Sequence, residues 1–166
     1  LGVVHRLDKP TSGAVLFART SKAASRLSEQ FRDGAVEKVY WAVVRGGSSG
    51  DAGVVEAPLR KVSSAARGWR MEAHPAGDPA RTAWRVLGRG DGMAWLELRP
   101  ETGRTHQLRV HCAAMGCPIL GDGMYGGGGG TLHLLAREVA LPLAPALRVT
   151  AEVPGHMREA LRGCGG

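Results

Sequence analysis

Alternating side chains in short segments between glycine-rich turns constrain most strongly how this chain can fold. Along KVYWAVVRG (residues 38–46), Tyr40 and Val44 fall on one face of an extended strand. Trp41 and Val43 fall on the opposite face. A period of two over a β-branched and aromatic run is typical of a strand, so we expect this segment to lie in a β-sheet.

Further segments indicate that the sheet has several strands. A short strand is predicted near VVEAPL, and TAWRVLGRGDGMAWLELRP predicts a strand, a Gly/Asp turn and a second strand. An irregular hairpin is expected over residues 62–81, and closing strands over residues 132–141 and 147–154.

Two segments show helical spacing instead. Residues 20–34 begin with a Thr-Ser pair that can cap a helix and end at a glycine. Residues 105–116 can be capped by Thr105, and Pro118 prevents the helix from continuing. The sequence therefore predicts an α+β domain with a mainly antiparallel mixed sheet and a few helices.

The domain is expected to cover residues 1–160, with a flexible tail over residues 161–166. GDGMYGGGGG (residues 121–130) lacks the lysine and Ser/Thr of a phosphate-binding P-loop, and we interpret it as a flexible loop.

The charge of the chain favours an acidic partner. The net charge is +7, and arginine supplies 18 of the 22 cationic residues. Arginine suits bidentate contact with phosphate, so a basic face for nucleic acid is expected, although many basic proteins bind nothing acidic. No apolar run is long enough to span a membrane, and three cysteines with no secretory signal favour a reducing, cytoplasmic setting.

The segment HRLDKPTSG places Asp8 among His5, Arg6 and Lys9. Neighbouring cations favour the ionised form of a carboxylate, and a positioned Asp carboxylate can act as a nucleophile or a base. The alternative is a surface loop held by ion pairs.

The segment RPETGRTHQLRVH places Arg104, His106, Gln107 and Arg109 at the start of the second helix, where anions bind readily. Arg109 can point inward, where it would need a carboxylate partner. The alternative is a solvated basic face. The spacing of His111, Cys112 and Cys117 matches no zinc site, so no metal is expected.

In order and spacing, HRLDKPTSG, EKVYWAVVRG and ETGRTHQLRVHCAAMGCPILGDGMYG resemble the RluA-type RNA pseudouridine synthases. The resemblance runs from about residue 3 to about residue 135. It implies an isomerase that converts selected uridines of ribosomal RNA or tRNA to pseudouridine without a cofactor or metal. It also implies a catalytic domain that usually has further strands ahead of the aspartate motif, so this chain is either a fragment or has a reduced sheet.

The resemblance also assigns roles to residues. Asp8 matches the catalytic aspartate, which acts on C1′ of the ribose or on the neighbouring 2′ proton. Tyr40 matches the active-site tyrosine under the base, and Arg109 matches the arginine that pairs with the aspartate. The RNA contacts are expected from Arg6, Lys9, Arg104, His106 and Gln107.

Two other functions remain open at this point. One is an RNA-binding module of the same fold without turnover, although all three catalytic positions are intact. The other is a glycosidase-like hydrolase, which normally needs a second carboxylate that the Asp8 motif lacks. We expect a monomer with no membrane contact, and an organellar location only if a targeting segment lies upstream.

Overall fold

A seven-stranded sheet organises the computed structural model, which describes residues 1–166. The strands, in chain order, are β1 (Gly2–Val3), β2 (Ser12–Gly13), β3 (Phe17–Ala18), β4 (Glu37–Arg45), β5 (Ala52–Glu56), β6 (Leu59–Ser64), β7 (Gly68–Ala73), β8 (Arg81–Gly90), β9 (Met93–Pro100), β10 (Leu134–Leu141) and β11 (Leu147–Thr150). The large sheet has the order β11-β10-β4-β9-β8-β5, and β2 joins β10 in parallel while every other pairing is antiparallel. The predicted α+β class with a mainly antiparallel mixed sheet is confirmed.

Two small antiparallel ribbons lie outside the large sheet. Strands β1 and β3 pair with each other, and β6 and β7 form a hairpin over residues 59–73, which begins three residues before the predicted range of 62–81 and ends well before its end. This β6–β7 hairpin packs on the second helix through Leu59, Met71 and Val110.

Three helices complete the fold: α1 (Ser21–Arg32), α2 (Gln107–Ala114) and α3 (Gly155–Gly163). Thr20 caps α1 as predicted, because its hydroxyl accepts a hydrogen bond from the Ala23 N–H at 3.1 Å. The cap predicted for α2 at Thr105 is wrong, since the cap residue is His106 in a left-handed conformation with φ 55°.

The central strands are apolar on both faces because helices cover the sheet on both sides. Leu96 and Leu98 pack with α2 residues on one face, and Val43 and Leu135 pack with α3 residues on the other. Tyr40 lies on the α2 face, as the alternation of β4 predicted.

The flexible tail expected over residues 161–166 is not what the structure shows. Leu161 and Cys164 are buried against the sheet at the end of α3. The carbonyl groups of Gly163 and Cys164 lie directly over two glycines of β8, with no room for a Cβ atom on either. The two glycines of β8 therefore let the end of the chain pack closely on the sheet, where the composition of the tail indicated disorder.

The loop over residues 121–130 also differs from the expectation. The Gly127 N–H donates to the Asp122 carbonyl at 2.7 Å, and a Cβ atom on Gly127 would lie 1.7 Å from the Ile119 carbonyl oxygen. Asp122 and Tyr125 are buried. The loop is thus packed on the domain, because its glycines let the backbone approach closely.

None of the three helices is both long and apolar enough to cross a bilayer.

Candidate active site

A cleft of about 790 Å³ opens where the Asp8 segment, strand β4 and the loop before α2 meet. This volume is within the range of small-molecule and nucleotide pockets. Most of the predicted site residues line it: Arg6, Asp8, Tyr40, Arg104, His106 and Gln107. Lys9 and Arg109 are not part of the lining.

Three contacts hold the Asp8 segment in place, two through His5 before the aspartate and one through Gly13 after it. Before it, the His5 ring stacks on Phe31 of α1 at 4.5 Å, and its Nε2 accepts a hydrogen bond from the Leu16 N–H at 2.8 Å. After it, Gly13 in β2 lies so close to β10 that a Cβ atom would sit 2.4 Å from the Ala136 carbonyl oxygen. The position of Asp8 is therefore set by helix α1 and by the large sheet.

The Asp8 carboxylate makes no hydrogen bond and no ion pair within the chain. Only its backbone carbonyl is engaged, as the acceptor for the Thr11 N–H at 2.8 Å. The side chain is half-buried in the cleft wall. A half-buried carboxylate without an internal partner is available to a bound molecule.

Burial raises the pKa of Tyr40 to about 12, and the nearby charge of Asp8 adds to the rise. The Tyr40 hydroxyl is therefore protonated at neutral pH. Because both side chains line the same cleft, the structure brings these two predicted residues together.

Arg109 binds Asp122, and the structure shows no direct ion pair between Arg109 and Asp8. Its Nε and Nη2 donate to the two Asp122 oxygens at 2.9 Å each, and both side chains are buried. Asp122 is oriented for this because its Oδ1 also accepts the N–H groups of Met124 and Tyr125, both at 3.3 Å.

Asp8 nevertheless lies near enough to influence the arginine. Burial opposes the charged form of Arg109, but the hydrogen bonds and charge of Asp122 outweigh burial and raise its pKa, and Asp8 adds to the rise. The pairing of Arg109 with Asp8 expected from the resemblance is thus replaced by a longer-range interaction.

Comparison with protein-family models matches residues 1–114 to the RNA pseudouridylate synthase family. The chain belongs to this family. Relatives named ribosomal large subunit pseudouridine synthase C and D, from Vibrio cholerae and Yersinia pestis, confirm the RluA-type resemblance.

Individual relatives show how much of the pseudouridine synthase architecture the chain covers. An uncharacterized RNA pseudouridine synthase of Zymomonas mobilis is 49% identical over 125 residues, which are 75% of this chain and 57% of the relative. The Vibrio cholerae protein is 41% identical over 128 residues, which are 76% of this chain and 39% of the relative. The chain therefore spans about half the length of the curated synthases that it matches.

A solved structure of human RNA pseudouridylate synthase domain containing 4 matches with a TM-score of 0.85 and 28% identity. The match covers 99% of this chain and 76% of the human one. The strands and helices of this chain thus have the pseudouridine synthase fold.

Three of the predicted RNA contacts of this family member are exposed basic side chains. Arg6 and Arg104 are exposed at the cleft, and the Arg104 Nε donates to the Pro79 carbonyl at 2.9 Å. Lys9 is exposed outside the cleft lining. These three side chains remain predicted RNA ligands.

Gln107 has a different environment, because its amide is used fully within the chain. Its Oε1 accepts hydrogen bonds from the Thr102 hydroxyl and the Arg104 backbone N–H. Its Nε2 donates to the Arg81 backbone carbonyl and the Thr82 hydroxyl. An amide has two donors and two acceptor lone pairs. Gln107 therefore stabilises the start of α2 and has no unused group for RNA.

Three residues of the cleft region were missed from the sequence. Lys38 lines the cleft without an ion pair, and burial lowers its pKa. It lies two residues before Tyr40, so the period of β4 was a signal for it. Asp122 and Tyr125 had no such signal, because their glycine-rich loop has neither a helical nor a strand period.

No group of three or more His, Cys, Asp or Glu side chains is arranged to hold a metal ion.

Proposed function

We propose that this protein is an RNA pseudouridine synthase that isomerises uridines of ribosomal RNA or tRNA. The observation that carries the proposal is the Asp8 carboxylate, which has no partner within the chain and shares a basic cleft with Tyr40. Family membership and the names of the relatives support the reaction class.

The reaction needs a carboxylate at the ribose and a surface under the base. The N1–C1′ bond breaks, the uracil turns, and a C5–C1′ bond forms while C5 loses a proton and N1 gains one. Atoms and electrons balance within the nucleotide, so no cosubstrate is consumed. Asp8 would act at C1′ or at the 2′ proton, because its oxygens line the cleft and have no partner within the chain.

Tyr40 would hold the detached uracil by stacking. An aromatic ring binds a base face without fixing rotation in the plane of the base, which is the motion that the isomerisation requires. With its pKa raised to about 12, the hydroxyl is a proton donor at rest. It can take the C5 proton only if its own proton first passes to another group.

The cations of the cleft fit an extruded nucleotide. Five basic side chains line it: Arg6, Arg32, Lys38, Arg99 and Arg104. Two of the three acidic side chains in the lining, Glu37 and Glu101, form ion pairs with arginines outside it. A uridine must leave its stack to reach Asp8, at a cost of roughly a few kcal/mol, and cationic contacts to its phosphates offset that cost.

We propose a supporting role for Arg109. The buried Arg109–Asp122 pair fixes helix α2 to the packed loop over residues 121–130, behind the cleft wall.

Three free, buried cysteines are compatible with action as a cytoplasmic monomer.

Tritium release from RNA labelled with [5-³H]uridine tests the proposal directly. Asp8→Asn keeps the volume of the side chain but removes the anion, and it should abolish release. Asp51→Asn is the matched control, because the Asp51 side chain is 88% exposed, is not part of the cleft lining, and is paired only with Arg89. Equal release from wild type and Asp8→Asn would exclude Asp8 as the reagent.

RNA binding without release in the wild-type protein would indicate the alternative function, a silent RNA-binding module. Mapping pseudouridines in total RNA from cells that lack the protein identifies the target. Loss of sites in ribosomal RNA is expected from the names of the Vibrio and Yersinia relatives.

A further inference from the structure

His106 has two side-chain contacts and an unusual backbone conformation that the proposed reaction does not by itself require. Its ring stacks on Trp69 of the β6–β7 hairpin at 5.1 Å, and its Nδ1 lies 2.7 Å from the Tyr125 hydroxyl oxygen. Its backbone has φ 55°, which is uncommon for a residue other than glycine and tends to occur at functional sites.

The hydrogen bonds of Tyr125 determine which nitrogen of His106 carries the proton. The Tyr125 oxygen accepts a hydrogen bond from the Met71 N–H at 3.0 Å. His106 Nδ1 is the only acceptor within reach of the Tyr125 O–H, so donation to Nδ1 satisfies both buried groups, whereas a proton on Nδ1 would leave the O–H without an acceptor. Tyr125 is buried, and burial raises its pKa, so the phenol keeps this proton.

With Nδ1 as an acceptor, a neutral His106 carries its proton on Nε2. Burial and the charge of Arg109 lower the pKa of His106 more than the charge of Asp8 raises it, which favours the neutral ring. Nε2 has no partner in the chain and is not sealed from solvent, and His106 lines the cleft. The structure thus presents an unused N–H donor beside Asp8.

The depth of His106 indicates what this donor binds. His106 is buried, whereas Arg6 and Arg104 at the same cleft are exposed. Phosphates stay near the rim and are bound better by guanidinium groups than by a neutral imidazole. A pyrimidine base enters further, and its carbonyl oxygens accept hydrogen bonds without needing a cation.

We propose that Tyr125 is a positioning residue that holds His106 as the Nε2–H tautomer, and that this N–H donates to a carbonyl oxygen of the pyrimidine in the Asp8 cleft. The second half rests on the proposed function. The first half concerns the chain alone and can be tested without any substrate.

The tautomer is measured by long-range ¹H–¹⁵N correlation spectra of histidine-labelled protein near pH 7.5. In the wild type, His106 should carry its proton on Nε2. Tyr125→Phe keeps the ring that Arg70 and Arg109 approach at 5.3 and 5.1 Å, but removes the donor, and should shift His106 toward the other tautomer. A proton on Nδ1 in the wild type, or an unchanged spectrum in Tyr125→Phe, would overturn the assignment.

The contact with the base is measured by turnover and by salt dependence. On in vitro transcribed ribosomal RNA, Tyr125→Phe should lower kcat/KM about 5- to 10-fold, the range of one ordinary hydrogen bond. The slope of log affinity against log salt should not change, because a carbonyl contact releases no counterion. A slope smaller by about one would assign the donor to a phosphate and overturn the base contact.

Thr82→Val is the matched control for the loss of a buried hydroxyl–imidazole bond. The Thr82 Oγ1 lies 2.8 Å from Nδ1 of His111, whose Nε2 lies 2.9 Å from the Ala57 carbonyl oxygen, away from the cleft lining. Gln107 keeps its other three hydrogen bonds in this variant.

Thr82→Val should lower stability about as much as Tyr125→Phe while leaving the His106 tautomer and kcat/KM unchanged. An equal fall in kcat/KM in both variants would mean that Tyr125 is only structural. If the wild type turns over no RNA, the proposed function fails, and the tautomer result stands separately.

Discussion

At the scale of single residues, the site contains two aspartates and two tyrosines, and one of each lines the cleft while the other supports it from behind. Asp8 and Tyr40 face the cleft, where Asp8 has no partner and Tyr40 keeps its proton with a pKa of about 12. Asp122 and Tyr125 lie behind it, and their polar atoms are fully used by Arg109, His106 and the backbone. The side chains proposed to react are thus left without hydrogen-bond partners, and the side chains that support them have all their hydrogen bonds made within the chain.

Tyr40→Phe separates stacking from proton transfer at this scale. The ring stays, so RNA affinity should change little, while turnover should fall by about 10²- to 10⁴-fold if the hydroxyl moves a proton. Filter binding and tritium release measure the two quantities on the same RNA. Undiminished turnover in this variant would remove the hydroxyl from the chemistry and leave only the ring.

Asp122→Asn tests the buried ion pair. It leaves the Arg109 charge buried without its counter-ion, and removing one partner of such a pair lowers the free energy of unfolding by about 3 to 5 kcal/mol. Asp51→Asn, which breaks an exposed pair with Arg89, should have little effect. Urea denaturation compares them, and similar midpoints for the two variants would contradict the assigned importance of Asp122.

At the scale of elements, close backbone approaches place the functional segments. Strand β2 joins β10 through Gly13, which has φ 125° and no room for a Cβ atom. Helix α3 approaches β8 in the same manner, with the Gly163 carbonyl oxygen 1.9 Å from where a Cβ atom of Gly90 would be. The first contact orients Asp8, and the second only closes the far face of the sheet.

Gly13→Ala and Gly90→Ala should therefore differ in function more than in stability. Each forces a methyl group against a backbone carbonyl, so both should lower the melting temperature. Only Gly13→Ala moves the segment that carries Asp8, and it should lose tritium release below the melting transition. Full activity in folded Gly13→Ala would show that the β2–β10 contact does not position Asp8.

At the scale of the whole molecule, the net charge and the buried histidines determine how the stability of the fold depends on pH. Burial lowers the pKa of four histidines below the ordinary value of 6.5: His5, His106, His111 and His133. As the pH falls through about 6.5, the unfolded chain takes up protons that the folded chain does not. The linkage relation then requires stability to fall.

The melting temperature should accordingly be lower at pH 5.5 than at pH 7.5. The net charge of +7 also rises on acidification and destabilises in the same direction. Repeating the measurement at high salt screens that repulsion, and the part that remains reports the histidines. A melting temperature that does not change between these pH values would mean that the four rings are protonated equally in both states.

Local patterns in the sequence were sufficient for most of the elements. The period of two placed Tyr40 on the same face as Val44, and helical spacing with a threonine cap located α1. Both signals act between neighbours in the chain, so a single sequence contains them. The quoted motifs likewise identified Asp8 and His106, which line the cleft.

Only the tertiary structure decided the partner of Arg109, the packing of the 121–130 loop and the existence of α3. Each depends on contacts between groups that are far apart in the chain or on backbone approaches that only glycine permits. Composition cannot distinguish a glycine that is needed for flexibility from one that is needed for space. Sequence determines which groups are available, and distance in the folded chain determines which of them meet.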